Sequence, residues 1–270
     1  MGVHSDELNA VLAAMAKAVH AAGGKIALQL AHAGDQANTK LSGLPAVGPV
    51  AHATGTASVG AGTLSSEGHL PCRALDQAGI TALVEAYARA AIRAKVAGFD
   101  AVQIHAAHGY LMHQFLSPTR NTRADAYGGT LENRARLLLQ VVRAVRQAVG
   151  PDYPVLAKID SDDFIAGGFT LKEAAVVAVW LEEATVDALE LSGGCRQAGE
   201  NLMAARKGKI RIPGGEVYYR EAAKMVKSRL SIPLILVGGI RSYETAAELI
   251  ASGTADYISF ARPLTRLLKK

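Results

Sequence analysis

The residues best suited to chemistry lie in one short run, Ile104-His105-Ala106-Ala107-His108-Gly109-Tyr110-Leu111. Imidazole N–H groups can donate to a carbonyl oxygen and stabilise charge that develops on it. A phenol two residues further on can deliver a proton. A lone histidine is more often a packing or capping residue, but His-x-x-His-x-Tyr beyond an apolar run favours a functional reading. Zinc is the weaker alternative. There is no His-Glu-x-x-His and no carboxylate at ligand spacing nearby, although His113 offers a third nitrogen.

A second group stands near the C-terminal end, where Gly238-Gly239 follows one apolar run and Ala261-Arg262 follows the next. Glycines let a backbone approach a phosphate closely, and arginine adds a permanent forked charge. Gln29 and Lys158 interrupt two further apolar runs. An amide there can both donate and accept. A buried lysine needs an anionic partner or a depressed pKa. Lys158 is therefore read as neutralising an electron-rich cofactor, forming a Schiff base, or pairing with Asp160. The basic stretch 134–146 reads as a solvated helix surface.

These residues must be positioned by strands and helices in alternation. Strands are expected at 25–30, 100–104, 155–159, 188–191, 234–237 and 257–260, each nearly continuously apolar, as parallel strands buried on both faces are. Helices are expected at 5–21, with Ser5 as its cap, and at 80–97, 131–149, 171–184, 217–229 and 243–251. Thr170 reads as a cap, and Gly98, Gly150 and Gly253 as stops. Such alternation means a parallel α/β fold. The six strands fall short of the eight of a closed (β/α)8 barrel. An open doubly wound sheet would account for six directly, but the Rossmann G-x-G-x-x-G is absent after the first strand. Residues 35–72 read as a long βα loop over the active-site face of a single domain spanning 1–270.

Composition excludes several classes. The chain has 270 residues, half of them hydrophobic and a fifth charged, which is ordinary globular usage. A net charge of +5 is modest, and no basic run interleaves with aromatics, so nucleic acid is not an expected partner. No apolar run approaches the length of a membrane span, and the start of the chain lacks a signal-peptide pattern. The two cysteines, Cys72 and Cys195, form no C-x-x-C pair, so a reducing, cytoplasmic setting is expected.

Taken together, the segments Gln29-Leu30-Ala31-His32-Ala33-Gly34, His105 to Pro118, Asn121 to Arg134 (with Tyr127-Gly128-Gly129 and Glu132-Asn133), Val237 to Ile240 and Ala261 to Leu264 resemble the Old Yellow Enzyme family, NADH:flavin oxidoreductases. The resemblance implies a TIM (β/α)8-type barrel, here incomplete, with strands three to eight present and one and two absent. It implies FMN, with NAD(P)H as reductant. Gln29 would meet the flavin pyrimidine edge, and Lys158 would stand near N1 and O2. Gly238, Gly239, the Ala261 N–H and Arg262 would hold the phosphate. His105 and His108 would grip the carbonyl of an activated alkene, hydride would pass from flavin N5, and Tyr110 would supply the proton. Asp35 departs from the family, which usually has arginine there. The missing strands would be replaced by a second copy or a complementing chain. A Schiff-base aldolase using Lys158 and a non-catalytic remnant of the flavoenzyme are the alternatives.

Overall fold

The computed structural model describes residues 2–52, 71–195, 198–199 and 216–267. Its elements run α1 (Asn9–Ala21), β1 (Ala27–Leu30), α2 (Thr39–Ser42), β2 (Val47–Gly48), β3 (Arg73–Ala74), α3 (Gln77–Val96), β4 (Ala101–Ala106), α4 (Leu111–Leu116) and α5 (Leu131–Val149). They continue with β5 (Val155–Asp160), α6 (Leu171–Glu183), β6 (Ala188–Ser192), α7 (Arg220–Lys227), β7 (Leu234–Val237), α8 (Tyr243–Ala251), β8 (Tyr257–Ser259) and α9 (Arg262–Leu267). Six strands form one parallel sheet in the order β1-β4-β5-β6-β7-β8. That order follows the chain, as expected for successive βα units. β2 and β3 pair separately, within the long loop after β1. The part of that loop at 53–70 lies outside the described residues.

The two faces of the sheet differ in chemistry because side chains alternate along a strand. One face carries Ile104, Ala157, Ile159, Leu189, Leu191, Leu234 and Leu236, all fully buried in the core shared with the helices. The other face carries Gln29, Gln103, His105, Lys158 and Glu190. Cα register places Gln29 beside Gln103, His105 beside Lys158, and Lys158 beside Glu190. The six runs were expected to be buried on both faces. β4 is buried along its whole length, as expected, but the second face carries polar side chains and opens at the edge strand β1, where Gln29 is exposed.

Helix ends follow local chemistry, with exceptions. Thr170 and Glu173 form a reciprocal capping box on α6, and Thr130 caps α5 through the Asn133 N–H. Gly98, Gly150 and Gly253 adopt the positive φ that ends α3, α5 and α8. Ser5 makes no side-chain cap: a 3-10 turn at Asp6–Leu8 precedes α1, which starts at Asn9. The helix expected at 217–229 is only Arg220–Lys227, because Val217 takes φ 62° and Tyr219 leaves the helical region. The short helices α4 and α9 had no periodic signal, being six residues each.

The basic stretch on α5 is not simply a solvated surface. Arg134 is buried, and its guanidinium donates to the carbonyls of Leu116 and Gly129 and to Glu173. Arg146 joins Asp187 to the carbonyls of Gly150, Tyr153 and Thr185. Both arginines hold together the ends of neighbouring βα units, where carbonyls lack helix or sheet partners.

Candidate active site

The functional run straddles a strand and a turn. His105 lies inside β4, two residues after Gln103 and on the same face. The chain then turns sharply, with His108 at φ 62° and Gly109 at φ 75°. A bulky residue in the left-handed region is strained. Several polar groups hold it there. The His108 N–H donates to Asp160 at 2.6 Å, and the Gly109 N–H donates to His113 Nδ1 at 2.7 Å. The Gln36 amide donates to the carbonyls of Gly109 and His108. A Cβ on Gly109 would stand 2.7 Å from the Gln36 amide nitrogen, so the turn requires glycine at that position. Tyr110 is extended and begins α4.

This turn brings three rings together, edge-on and tilted rather than stacked. The His105 centroid lies 5.1 Å from His108 and 5.1 Å from Tyr110. His108 Nε2 is 2.8 Å from the Ser192 hydroxyl at the end of β6. His105 Nδ1 is buried and makes no hydrogen bond among the described residues. Burying a polar atom without a partner is costly. Burial pushes the His105 imidazolium down to about 4, aided by the charges of Lys158 and His113. Burial, then Lys158, His105 and His113, push His108 down to about 2. Both rings are therefore neutral near pH 7, each with one N–H to donate.

Beneath the turn sits a buried cluster of His113, Asp160 and Asp163, whose ligand-type atoms lie within 4.8 Å of one another. Sequence spacing had offered His113 no carboxylate; β5 and the loop after it bring two. The cluster is already used internally. Asp163 accepts from the Ser117 hydroxyl at 2.6 Å and the Phe169 N–H at 2.8 Å, and His113 Nε2 lies 2.7 Å from it. Burial raises Asp160 to about 7 against the pull of His113 and the His108 N–H. For His113, burial opposes charge, but Asp163 and Asp160 outweigh it and raise the imidazolium.

Asp35, where the resemblance leads one to expect arginine, is buried against Arg120 and accepts from the Gln114 amide at 2.8 Å. A carboxylate here gives the Arg120 guanidinium its counter-charge and fastens the loop after β1 to α4.

Lys158 does not pair with Asp160. Its ammonium donates to Glu190 on β6 at 2.9 Å. Gln103 donates to the other Glu190 oxygen at 2.8 Å, and Gln29 donates to Gln103 at 2.6 Å.

The C-terminal group follows two adjacent strands. Val237 is in register with Ser259, so Gly238-Gly239 and Ala261-Arg262 leave the sheet side by side. Gly238 and Gly239 have φ of 112° and 77°, and a Cβ on either would lie 2.6 Å from the ring of Tyr219 or Tyr218. Ala261 and Arg262 are exposed where α9 starts. In a parallel sheet all strands end on one side, so the histidine turn and this glycine–arginine corner share a rim, with Gln29 and Lys158 on the polar face below it.

A family model for NADH:flavin oxidoreductase / NADH oxidase matches residues 1–266. The chain belongs to that family. It is 38% identical to NADH oxidase of Thermoanaerobacter brockii over 93% of its own length, spanning 36% of that protein. It is 34% identical to NADPH dehydrogenase of Halalkalibacterium halodurans over 98% of its length, spanning 70% of that protein. Among solved structures it is similar to the old yellow enzyme homologue from Zymomonas mobilis, with TM-score 0.78, 30% identity, and coverage of 97% of this chain and 70% of that one. The sheet is thus a TIM-barrel-type sheet with six of the eight strands. This family of oxidoreductases uses FMN with NAD(P)H.

The residues present suit FMN. The polar face offers an amide and an ammonium, the glycine turn closes against two tyrosine rings, and Arg262 follows the adjacent strand. Gln103, Glu190 and Ser192 escaped the sequence reading, and Asp160 entered it only as an alternative partner for Lys158. Gln103 was findable, since it lies two residues before His105 in the same strand, and so was Glu190, the one charge in Ala188-Leu189-Glu190-Leu191-Ser192. Ser192 carried no such signal.

Proposed function

We propose that this chain is the substrate-gripping and FMN-binding part of an NAD(P)H oxidoreductase that reduces the C=C bond of α,β-unsaturated carbonyl compounds. The observation that carries this reading is the orphaned His105 Nδ1 beside His108 and Tyr110. Two neutral imidazoles donating to a carbonyl oxygen would draw electron density toward it and make the β carbon electrophilic. FMN reduced by NAD(P)H supplies the hydride for that carbon. Tyr110 then donates its phenol proton to the α carbon, so that one hydride and one proton add across the double bond, and the phenol regains its proton from solvent. Gln29 and Lys158 would serve the flavin ring. Gly238, Gly239, the Ala261 N–H and Arg262 would take the phosphate.

We read the chain as one barrel-type domain; of the 35–72 loop expected over its active-site face, 53–70 lie outside the described residues. Strands β1 and β8 have no sheet neighbour on their outer sides among the described residues. Those edges are where further strands would complete a barrel. No helix among the described residues is long and apolar enough to cross a membrane, which accords with a cytoplasmic enzyme. The Schiff-base alternative has less support: such a lysine needs a desolvated or cation-crowded amine, whereas Lys158 donates to a carboxylate.

The test is an absorbance spectrum of the purified chain with and without added FMN, followed by a cyclic enone and NADPH. A bound-flavin spectrum and loss of the enone band support the reading. A chain that stays colourless and leaves FMN fluorescence unquenched is a non-catalytic remnant, and the proposal fails.

A further inference from the structure

Four polar side chains form one series across the face of the sheet. Gln29 donates to Gln103, Gln103 donates to Glu190 Oε2, and Lys158 donates to Glu190 Oε1, at 2.6, 2.8 and 2.9 Å. Everything converges on Glu190, which is 7% exposed and contributes both of its oxygens. The barrel interior is an expensive place for a carboxylate, and an apolar residue of similar size would often be no less stable. The pair Lys158–Glu190 also alters what a ligand on this face meets. A lone ammonium favours an anion strongly; an ammonium 2.9 Å from a carboxylate presents a dipole of little net charge.

Resting on the flavin reading above, we propose that Glu190 is a positioning residue that fixes Lys158 and offsets its charge, so that the flavin is held as a stronger reductant than lysine alone would allow. Reduction by hydride leaves the flavin ring with added negative charge. A bare cation beside the pyrimidine edge stabilises that form and raises the midpoint potential. The Glu190 carboxylate opposes the effect, while its bonds to Gln103 and Lys158 keep both donors aligned. The Gln29–Gln103 bond extends the same ordering to the edge strand.

The experiment uses the full chain loaded with FMN. Affinity for oxidised FMN is read by fluorescence quenching, and midpoint potential by dye-equilibrated spectroscopy. Glu190→Gln removes the charge and retains an acceptor. It should bind reduced FMN at least about tenfold more tightly relative to oxidised FMN, an upward shift of about 30 mV for a two-electron couple. Glu190→Asp retains the charge and should stay near the wild-type potential. Lys158→Met should shift the potential down, and Lys158→Met combined with Glu190→Leu, which removes both charges, should return it toward wild type. A Glu190→Gln protein with the wild-type potential overturns the inference and leaves the flavin reading standing. A wild-type chain that binds no FMN ends both. Should Glu190→Gln fail to fold, the double variant decides: a potential as low as that of Lys158→Met alone overturns the inference.

Discussion

The main-chain N–H of His108 donates to the buried carboxylate of Asp160 at 2.6 Å, across 52 residues of sequence. The bond fixes a non-glycine residue at φ 62° and thereby aims the imidazole that faces Ser192. It also places a titrating group under the site. Asp160 is raised to about 7 by burial, from an ordinary value of 3.8. Between those values the folded chain holds a proton that the unfolded chain has released. Stability from this group is therefore greatest below about 4 and is lost as pH rises through 7, with a slope of at most about 1.4 kcal/mol per pH unit. Asp160→Asn should remove that slope while retaining the acceptor for His108. Urea unfolding of both proteins from pH 4.5 to 7.5 measures it, and parallel pH profiles would contradict the assignment.

The double substitution His105→Ala with His108→Ala should weaken phenol binding and enone reduction together, by about 10²-fold or more, because both depend on the same pair of donors. Since burial holds the imidazolium forms down at about 4 and about 2, phenol binding by the wild type should not change through these rings between pH 8 and 5. Titration with a para-substituted phenol and steady-state rates report the two effects. Alkene reduction retained in the double variant would remove the carbonyl grip.

Arg134→Met should destabilise the chain by roughly 2–4 kcal/mol, because it strips Glu173 and the carbonyls of Leu116 and Gly129 of their common donor. A change in denaturation midpoint without a change in slope is expected. A midpoint within experimental error of wild type would mean that the guanidinium is replaced by water.

Gly34→Ala should loosen the loop after β1. Gly34 has φ 63°, and an added Cβ would stand 2.3 Å from the Gln114 amide that anchors Asp35. Strain and clash together should cost on the order of 1–3 kcal/mol. Limited proteolysis in the 35–52 stretch reports the loosening, and an unchanged cleavage pattern would show that Gln114 yields without consequence.

Much of this was legible in the letters. Near-continuous apolar runs located every strand of the main sheet within a residue or two, because such a run is a local property of a buried parallel strand. The strand ends then indicated which residues share a rim, and His105, His108 and Tyr110 do meet. What such runs could not supply is the partner across the sheet. Lys158 had two carboxylates within plausible reach, Asp160 in its own strand and Glu190 in the next, and register chose Glu190. Arg134 looked like surface until α5 packed against its neighbours and turned that residue inward.

The sequence by itself determined the parallel α/β architecture and the family, since these depend on the order of apolar runs and on local motif. Only the tertiary structure decided that Glu190 takes the charge of Lys158, that Asp160 holds the His108 turn, and that His105 Nδ1 is left without a partner. Those relationships join residues 32 and 52 positions apart. They depend on strand register and on the packing of whole elements, which no local pattern encodes.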